Sequence, residues 1–386
     1  MGVGSLPLYA LAVLAPYLTA DLALSRTQFG LLATVLLVVA ALLATSMGRL
    51  VDSFGGRRML IVLFAAFATT VIGVAAAPAY LYVLPAVAVG GFALAITNPV
   101  TNQLVVRHIA AGRQGWLIGL KQSGAQLSAV VAGVFLPAGA LLLGWRGALA
   151  ALGVLSVIGV VATLWLVPAP SQASAAGSRP TRARATLRGD PLRAVHWLAA
   201  YACLMAAGGG AITIYLPLYV VERFQASPEL AGLTAAGLGL VGFTARFLSG
   251  PISGQIRKLS VPLTVLAFVS AVATALLWAA GYAGFWLVWG AVILFGLSGA
   301  AWNTTSTLAV LREVDPAIVG QASGMVLRAA YTGGLLSPIG FGFLVDQTGG
   351  YGIGLLVAIL LQVAAAATVF RLYLWQRGAE DSARLA

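Results

Sequence analysis

Apolar runs of about 20 residues, separated by short polar interruptions, cover nearly the whole chain. They lack the strict alternation of a membrane strand. Their length suits a helix that rises 1.5 Å per residue across roughly 30 Å of hydrocarbon. The pattern predicts twelve helices, at about 3–20, 28–49, 58–77, 79–106, 114–142, 147–167, 194–222, 229–256, 261–280, 283–310, 318–345 and 351–374. Pro78, Gly144 and Gly281 mark some of the turns between them. One connection is long and polar: Pro168 to Arg193 holds Pro, Ser, Ala and five Arg, a composition that cannot bury a core and reads as a flexible linker. The expected fold class is therefore all-α integral membrane. Its domains are a six-helix half at 1–167, the linker at 168–193, a second half at 194–374 and a tail at 375–386.

Composition agrees. Only 8% of the 386 residues are charged, against about 25% in a soluble domain. The net charge of +12 invites a nucleic-acid reading, but placement argues otherwise. Sixteen of the 22 Lys and Arg fall at ends that this topology makes cytoplasmic, and only Arg26, Arg146 and Arg223 fall outside. That is the positive-inside bias. It predicts a multi-pass protein of the plasma (cytoplasmic) membrane with both termini and the linker in the cytoplasm, and no nucleic-acid partner. Cys203 is the single cysteine, so no intrachain disulfide forms. No Lys or Arg precedes the first apolar run, which reads as an uncleaved first helix rather than a signal peptide. No metal cluster, nucleophile–base pair or HExxH motif appears, so no cofactor and no enzymatic activity are expected.

Three cations remain: Lys121, Arg246 and Arg328 sit inside apolar runs, and no Asp or Glu does. An ionised side chain at membrane depth costs roughly 2.5–3.5 kcal/mol even on lenient scales. Three of one sign call for an anion as their partner. Arg246 lies eleven residues before Arg257, about 16 Å deeper along its helix. Arg328 lies roughly 12 Å into the eleventh helix, and Lys121 is the shallowest. Arg can grip a carboxylate through two parallel hydrogen bonds, while Lys acts as a point charge.

The halves also resemble each other. Gly48-Arg49-Leu50-Val51-Asp52-Ser53-Phe54-Gly55-Gly56-Arg57-Arg58 follows the second helix, and Gly250-Pro251-Ile252-Ser253-Gly254-Gln255-Ile256-Arg257-Lys258 follows the eighth, 202 residues later. Asn98 and Asn303 recur at an offset of 205, as do Gly115/Gly119 and Gly320/Gly324. A parallel six-helix repeat is the pattern of carriers that rock two halves around a central site. The first segment resembles the loop signature of the major facilitator superfamily, G-x-L-x-D-x-x-G-R-R, in its usual place. The resemblance spans the chain and implies a cytoplasmic gating motif made of Gly48, Asp52, Gly55, Arg57 and Arg58. Asp52 would face the start of the eleventh helix near Val319 and Gly320, where backbone N–H groups carry partial positive charge. Arg57 and Arg58 would neutralise nearby anions or lipid headgroups.

Two signatures of proton-coupled drug exporters are missing. Leu84 to Gly91 in the fourth helix holds no Arg, and Gly124 to Gly133 in the fifth holds no Gly-Pro. Arg246 is similar in placement to the eighth-helix Arg of oxalate/formate-type and monocarboxylate carriers, which implies a carboxylate contact. Oxalate/formate-type carriers likewise place a cation in the eleventh helix, as Arg328 is here. Lys121 belongs to the fifth helix, the structural repeat of the eleventh. Tyr9, Asn98, Asn102, Gln122, Gln126, Tyr215, Asn303 and Tyr331 are the polar neighbours expected to shape the site. Tyr331 follows Arg328 by three residues and shares its face. The expected activity is secondary active transport of a small organic anion, a mono- or dicarboxylate, by alternating access. It would run as proton symport or anion exchange in a monomer, with the anion, a proton and the bilayer as partners. A multidrug exporter and a transporter-like sensor are the alternatives.

Overall fold

The computed structural model describes residues 1–108, 111–167, 190–256, 258–314 and 319–385. Among the described residues it has eleven helical elements and no strand: α1 (Gly2–Asp21), α2 (Arg26–Phe54), α3 (Gly56–Ala76), α4 (Tyr80–His108), α5 (Ala111–Leu166), α6 (Asp190–Phe224), α7 (Pro228–Gln255), α8 (Ser260–Ala283), α9 (Trp286–Glu313), α10 (Val319–Thr348) and α11 (Gly352–Leu385). α5 is not one rod. Gly144 breaks it with φ 68° and ψ 162°, a conformation that residues with a Cβ avoid. Its two arms are the predicted fifth and sixth helices, and α6 to α11 are the predicted seventh to twelfth. The expected turn at Gly281 is misplaced: Gly281 continues α8, and the chain turns at Gly284, where φ is 117°. Helix extends past the predicted spans, into 190–193 at the start of α6 and through 375–385 at the end of α11.

Ten stretches among the described residues are long and apolar enough to cross a membrane. α10 is not one of the ten. It carries Gln321, Ser323, Arg328 and Thr332 within its first half, and this polarity lowers its apolar character.

The helices form two compact units, Met1–Pro180 with Ile214–Leu240, and Thr181–Thr213 with Val241–Ala386. In the first unit α4 packs on α2 and α3, and α5 packs on α3 and α1. Met47, Val51, Met59, Leu63, Ile96 and Val100 form a core between α2, α3 and α4. In the second unit α8 packs on α9 and α11, around Leu198, Tyr201, Met205, Leu263, Val310 and Val369. Lipid is as apolar as these side chains, so close packing and satisfied polar groups hold the helices together. Thr70 and Thr97 each donate to the carbonyl four residues back at 2.8 Å, and Thr274 does so at 3.0 Å. Buried Tyr201 donates to the Leu263 carbonyl at 3.2 Å. Leu42, Leu142, Trp165, Phe268 and Leu360 are exposed, as a lipid-facing surface requires. Exposed Tyr282, Trp286 and Trp289 surround the Gly284 turn, where an interfacial aromatic belt belongs.

The end of the first unit that carries the α1–α2 turn is called distal here, and the end that carries the α2–α3 turn proximal. Distally, Ser25 caps α2 with a complete capping box: its Oγ accepts from the Gln28 N–H at 3.1 Å, and Gln28 Oε1 accepts from the Ser25 N–H at 2.9 Å. Proximally, Gly55 ends α2 with φ 80° while its N–H donates to the Val51 carbonyl at 2.9 Å.

Candidate functional site

In the first unit Lys121 joins a polar cluster between α4 and α5. Lys121 is half-buried on α5. Its Nζ donates to Asn98 Oδ1 at 3.4 Å and, more closely, to Asn102 Oδ1. The two asparagines lie four residues apart on α4 and therefore share a face. Both partners are neutral amides. Among the described residues of the unit, the ion pairs Arg26–Glu222 and Arg146–Asp21 do not involve Lys121. An ammonium held by amide dipoles keeps its net charge. The cluster can therefore offer a positive charge and two amide groups to an anion.

One and a half turns further along α5, Gln126 Oε1 accepts from the Tyr9 hydroxyl of α1 at 3.0 Å. Five residues of helix separate Gln126 from Lys121, about 7.5 Å along the axis. The first unit thus brings five of the named residues into two polar contacts on α1, α4 and α5. The side chain of Gln122 lies outside the described residues.

Tyr215 goes elsewhere. Its ring is buried edge-on against Phe29 at 5.4 Å, and its hydroxyl donates to the Arg26 carbonyl at 2.5 Å, at the distal end of the first unit. Arg246 and Arg328 belong to the second unit. Arg246 is half-buried on α7, and its carbonyl accepts from Ser249 Oγ at 3.0 Å. Arg328 is exposed on α10, with half-buried Tyr331 one turn later. Asn303 is exposed on α9.

The segment from Gly48 to Arg58 lies at the proximal end. Arg57 donates to the Leu164 carbonyl at 2.8 Å, so it caps the end of α5 rather than an external anion. Arg58 is exposed, and a Cβ at Gly48 would meet nothing within 4 Å. The side chain of Asp52 lies outside the described residues.

Sequence reasoning treated the distal basic residues as topology markers, yet two of them are structural. Arg146 donates to the Ala75 and Ala77 carbonyls at 2.9 and 2.6 Å and pairs with Asp21 at 2.9 Å, which ties the ends of α1 and α3 to the break in α5. Arg26 pairs with Glu222 at 2.6 Å. The signal available beforehand was that each has an acid near a helix end on the same predicted side.

Apolar helices in two compact units, ten stretches of which among the described residues are long and apolar enough to cross a membrane, define a polytopic membrane protein. The chain belongs to the Major Facilitator Superfamily, whose family model matches residues 2–338. It is 25% identical over 378 residues to the "Hexuronate transporter" of Bacillus subtilis, covering 94% of this chain and 89% of that one. It is 29% identical over 363 residues to the "Probable nitrate/nitrite transporter NarK2" of Mycobacterium tuberculosis, covering 89% and 87%. Its fold matches the crystal structure of a bacterial homolog to the human lysosomal transporter Spinster with a TM-score of 0.78 at 16% identity, covering 96% and 93%. The protein is a multi-pass membrane transporter.

Proposed function

We propose that this transporter carries a small organic anion, a mono- or dicarboxylate, across the cytoplasmic membrane by alternating access. The observation that supports this most is Lys121, whose partners among the described residues are the amide oxygens of Asn98 and Asn102. Similarity to transporters named for hexuronate and for nitrate/nitrite points to the same charge class. Arg246 and Arg328 are further candidate contacts for the anion. The reading covers exchange of one anion for another and entry of an anion with a proton. With the linker and both termini in the cytoplasm, Asp52 latches the cytoplasmic side.

Proteoliposomes decide the cargo. Isotopically labelled acetate, oxalate, succinate and glucuronate, with nitrate and sulfate beside them, are assayed for uptake against an unlabelled excess inside. Saturable exchange of at least one carboxylate is expected. Uptake confined to nitrate or sulfate would move the assignment to inorganic oxyanions. Transport of lipophilic cations alone would overturn it in favour of a drug exporter, and binding without flux would favour a sensor.

A further inference from the structure

At one end of the second unit the starts of α6 and α8 meet the end of α11. Ser260 Oγ of α8 donates to Gln376 Oε1 of α11 at 3.1 Å, and Val195 and Leu198 of α6 share a core with Val369 and Leu372. Cations gather at this junction. The Arg193 guanidinium of α6 lies 5.4 Å from the Trp375 ring centroid, and the Lys258 ammonium, just before α8, lies 5.7 Å from that of Tyr373. An aromatic face attracts a cation without neutralising it. Arg371 and Arg377 are exposed on α11. Residues 190–196, 255–260 and 371–386 together hold six Lys and Arg against three Asp and Glu. Two of those acids, Glu380 and Asp381, come nine and ten residues after Arg371, about 14 Å further along the helix. The third, Asp190, is the first residue of α6. Glu313, at the end of neighbouring α9, accepts from Gln376 Nε2 at 2.6 Å.

An apolar surface begins where the cations end. Leu356, Leu360, Val363, Ala367, Phe370 and Leu374 are all exposed on α11. They follow one another at spacings of four, three, four, three and four residues, so they form one stripe along the helix. From Leu356 to Phe370 the stripe runs about 21 Å, more than the roughly 15 Å of hydrocarbon in one leaflet. Arg371 stands four residues after Ala367, and Arg377 stands three after Leu374, so both lie at the head of this face. α8 packs on α11 and carries a second exposed stripe, Val261, Val265, Phe268 and Val272. Its first member follows Lys258 by three residues.

We propose that this junction binds an anionic glycerophospholipid. Arg371 and Arg377 take the phosphodiester, Arg193 and Lys258 add positive charge from α6 and from the turn before α8, and the acyl chains lie along the two stripes. Planar guanidinium forks match phosphate oxygens, and basic sites between helices at the membrane surface hold anionic headgroups. Trp375 and Tyr373 are the interfacial aromatics that keep two of the cations at headgroup level. A soluble anion has no use for the apolar stripes. A zwitterionic lipid brings its own cation to a place already rich in them. Orientation of the chain in the bilayer requires positive charge on one side, but it requires no acyl-length surface that ends at those charges. The site lies apart from Lys121 and its asparagines, so it and the transported anion can each fail without the other.

Native mass spectrometry of the intact carrier, released from detergent holding equal amounts of phosphatidylglycerol and phosphatidylcholine, reads which lipid stays bound. The parent should retain phosphatidylglycerol in clear preference. Arg371→Gln with Arg377→Gln should reduce that retention about tenfold or more, as expected for the loss of two cations at a headgroup. Arg49→Gln with Arg223→Gln removes two exposed cations from the first unit and should leave retention unchanged. Equal loss in the two double variants, or equal retention of both lipids by the parent, overturns the site. If the α11 double variant does not fold, photo-crosslinking decides. A benzophenone is attached at Leu374→Cys, between the two arginines, in a Cys203→Ser background that removes the only native thiol. It should capture phosphatidylglycerol from mixed vesicles in preference to phosphatidylcholine, and an excess of glycerophosphoglycerol, the headgroup alone, should not compete. Equal capture of the two lipids, or displacement by the bare headgroup, contradicts a lipid site.

Discussion

The first unit treats its cations in two opposite ways. Arg26 and Arg146, at the distal end, are each matched to a carboxylate, Glu222 at 2.6 Å and Asp21 at 2.9 Å. Lys121, inside an otherwise apolar helix, is matched to Asn98 and Asn102. The matched pairs sit where water screens charge and the cost of pairing is small. The lysine sits inside an apolar run, where charge is costly. Structural roles explain the arginines completely: one staples three helix ends, and the other joins α2 to α6. No structural need explains a lysine at depth whose partners leave its charge intact. A residue that only had to satisfy the asparagines would not have to be charged. The contrast separates charge used to hold the fold from charge kept available for cargo.

The comparison can be broken in several places. The largest effect is expected at Lys121 itself. Lys121→Gln keeps a hydrogen-bonding group but removes the charge, and it should weaken binding of the transported anion by at least about 30-fold, or roughly 2 kcal/mol. Calorimetric titration of the purified variant with the carboxylate identified by flux checks this. Next comes Asn102→Asp, which gives Lys121 the counter-ion that the arginines already have. It should raise the melting temperature of the empty carrier while weakening the anion about tenfold, because the ligand must now displace an internal carboxylate. Equal binding by this variant would mean that the neutral partners are incidental.

Arg146→Ala should show the converse signature. It leaves Asp21 and the Ala75 and Ala77 carbonyls without their donor and should cost about 1–3 kcal/mol of stability with anion affinity unchanged. Denaturation in detergent read against the binding isotherm separates the two. The smallest stability effect belongs to Arg26→Ala, within about 1 kcal/mol as for other exposed pairs.

Much of this was legible in the chain because the bilayer allows few solutions. A span needs about 20 apolar residues with every backbone group bonded internally, so helix number and approximate position follow from hydropathy. The Gly144 turn followed from a glycine between two apolar runs. Gly281 was misread because a glycine inside a membrane helix and one at its end look alike locally, and only the backbone at Gly284 distinguishes them. Lys121, Asn98 and Asn102 stood out as polar residues in apolar runs, and so did Tyr9 and Gln126. Their pairing did not, since nothing local says which face of α5 meets α4 or α1. Tyr215 looked like a pocket residue for the same reason, yet its hydroxyl is committed to the Arg26 carbonyl. The distal contact of α2 and α5 with α6 and α7 was the least legible part. Residues 26 and 222 are far apart in the chain, and the spacing of Gly133, Gly232 and Gly239 gains meaning only once α5 and α7 are seen to cross.

The central claim is that an uncompensated lysine marks an anion site. The most direct measurement is the melting shift of wild-type and Lys121→Gln proteins against one panel of carboxylates, inorganic oxyanions and lipophilic cations. A ligand at 100 times its Kd stabilises by about 2.7 kcal/mol. The account predicts that at least one small carboxylate stabilises the wild type and leaves Lys121→Gln unmoved at the same concentration. Equal stabilisation of both proteins by that carboxylate, or stabilisation of the wild type by lipophilic cations alone, would contradict it.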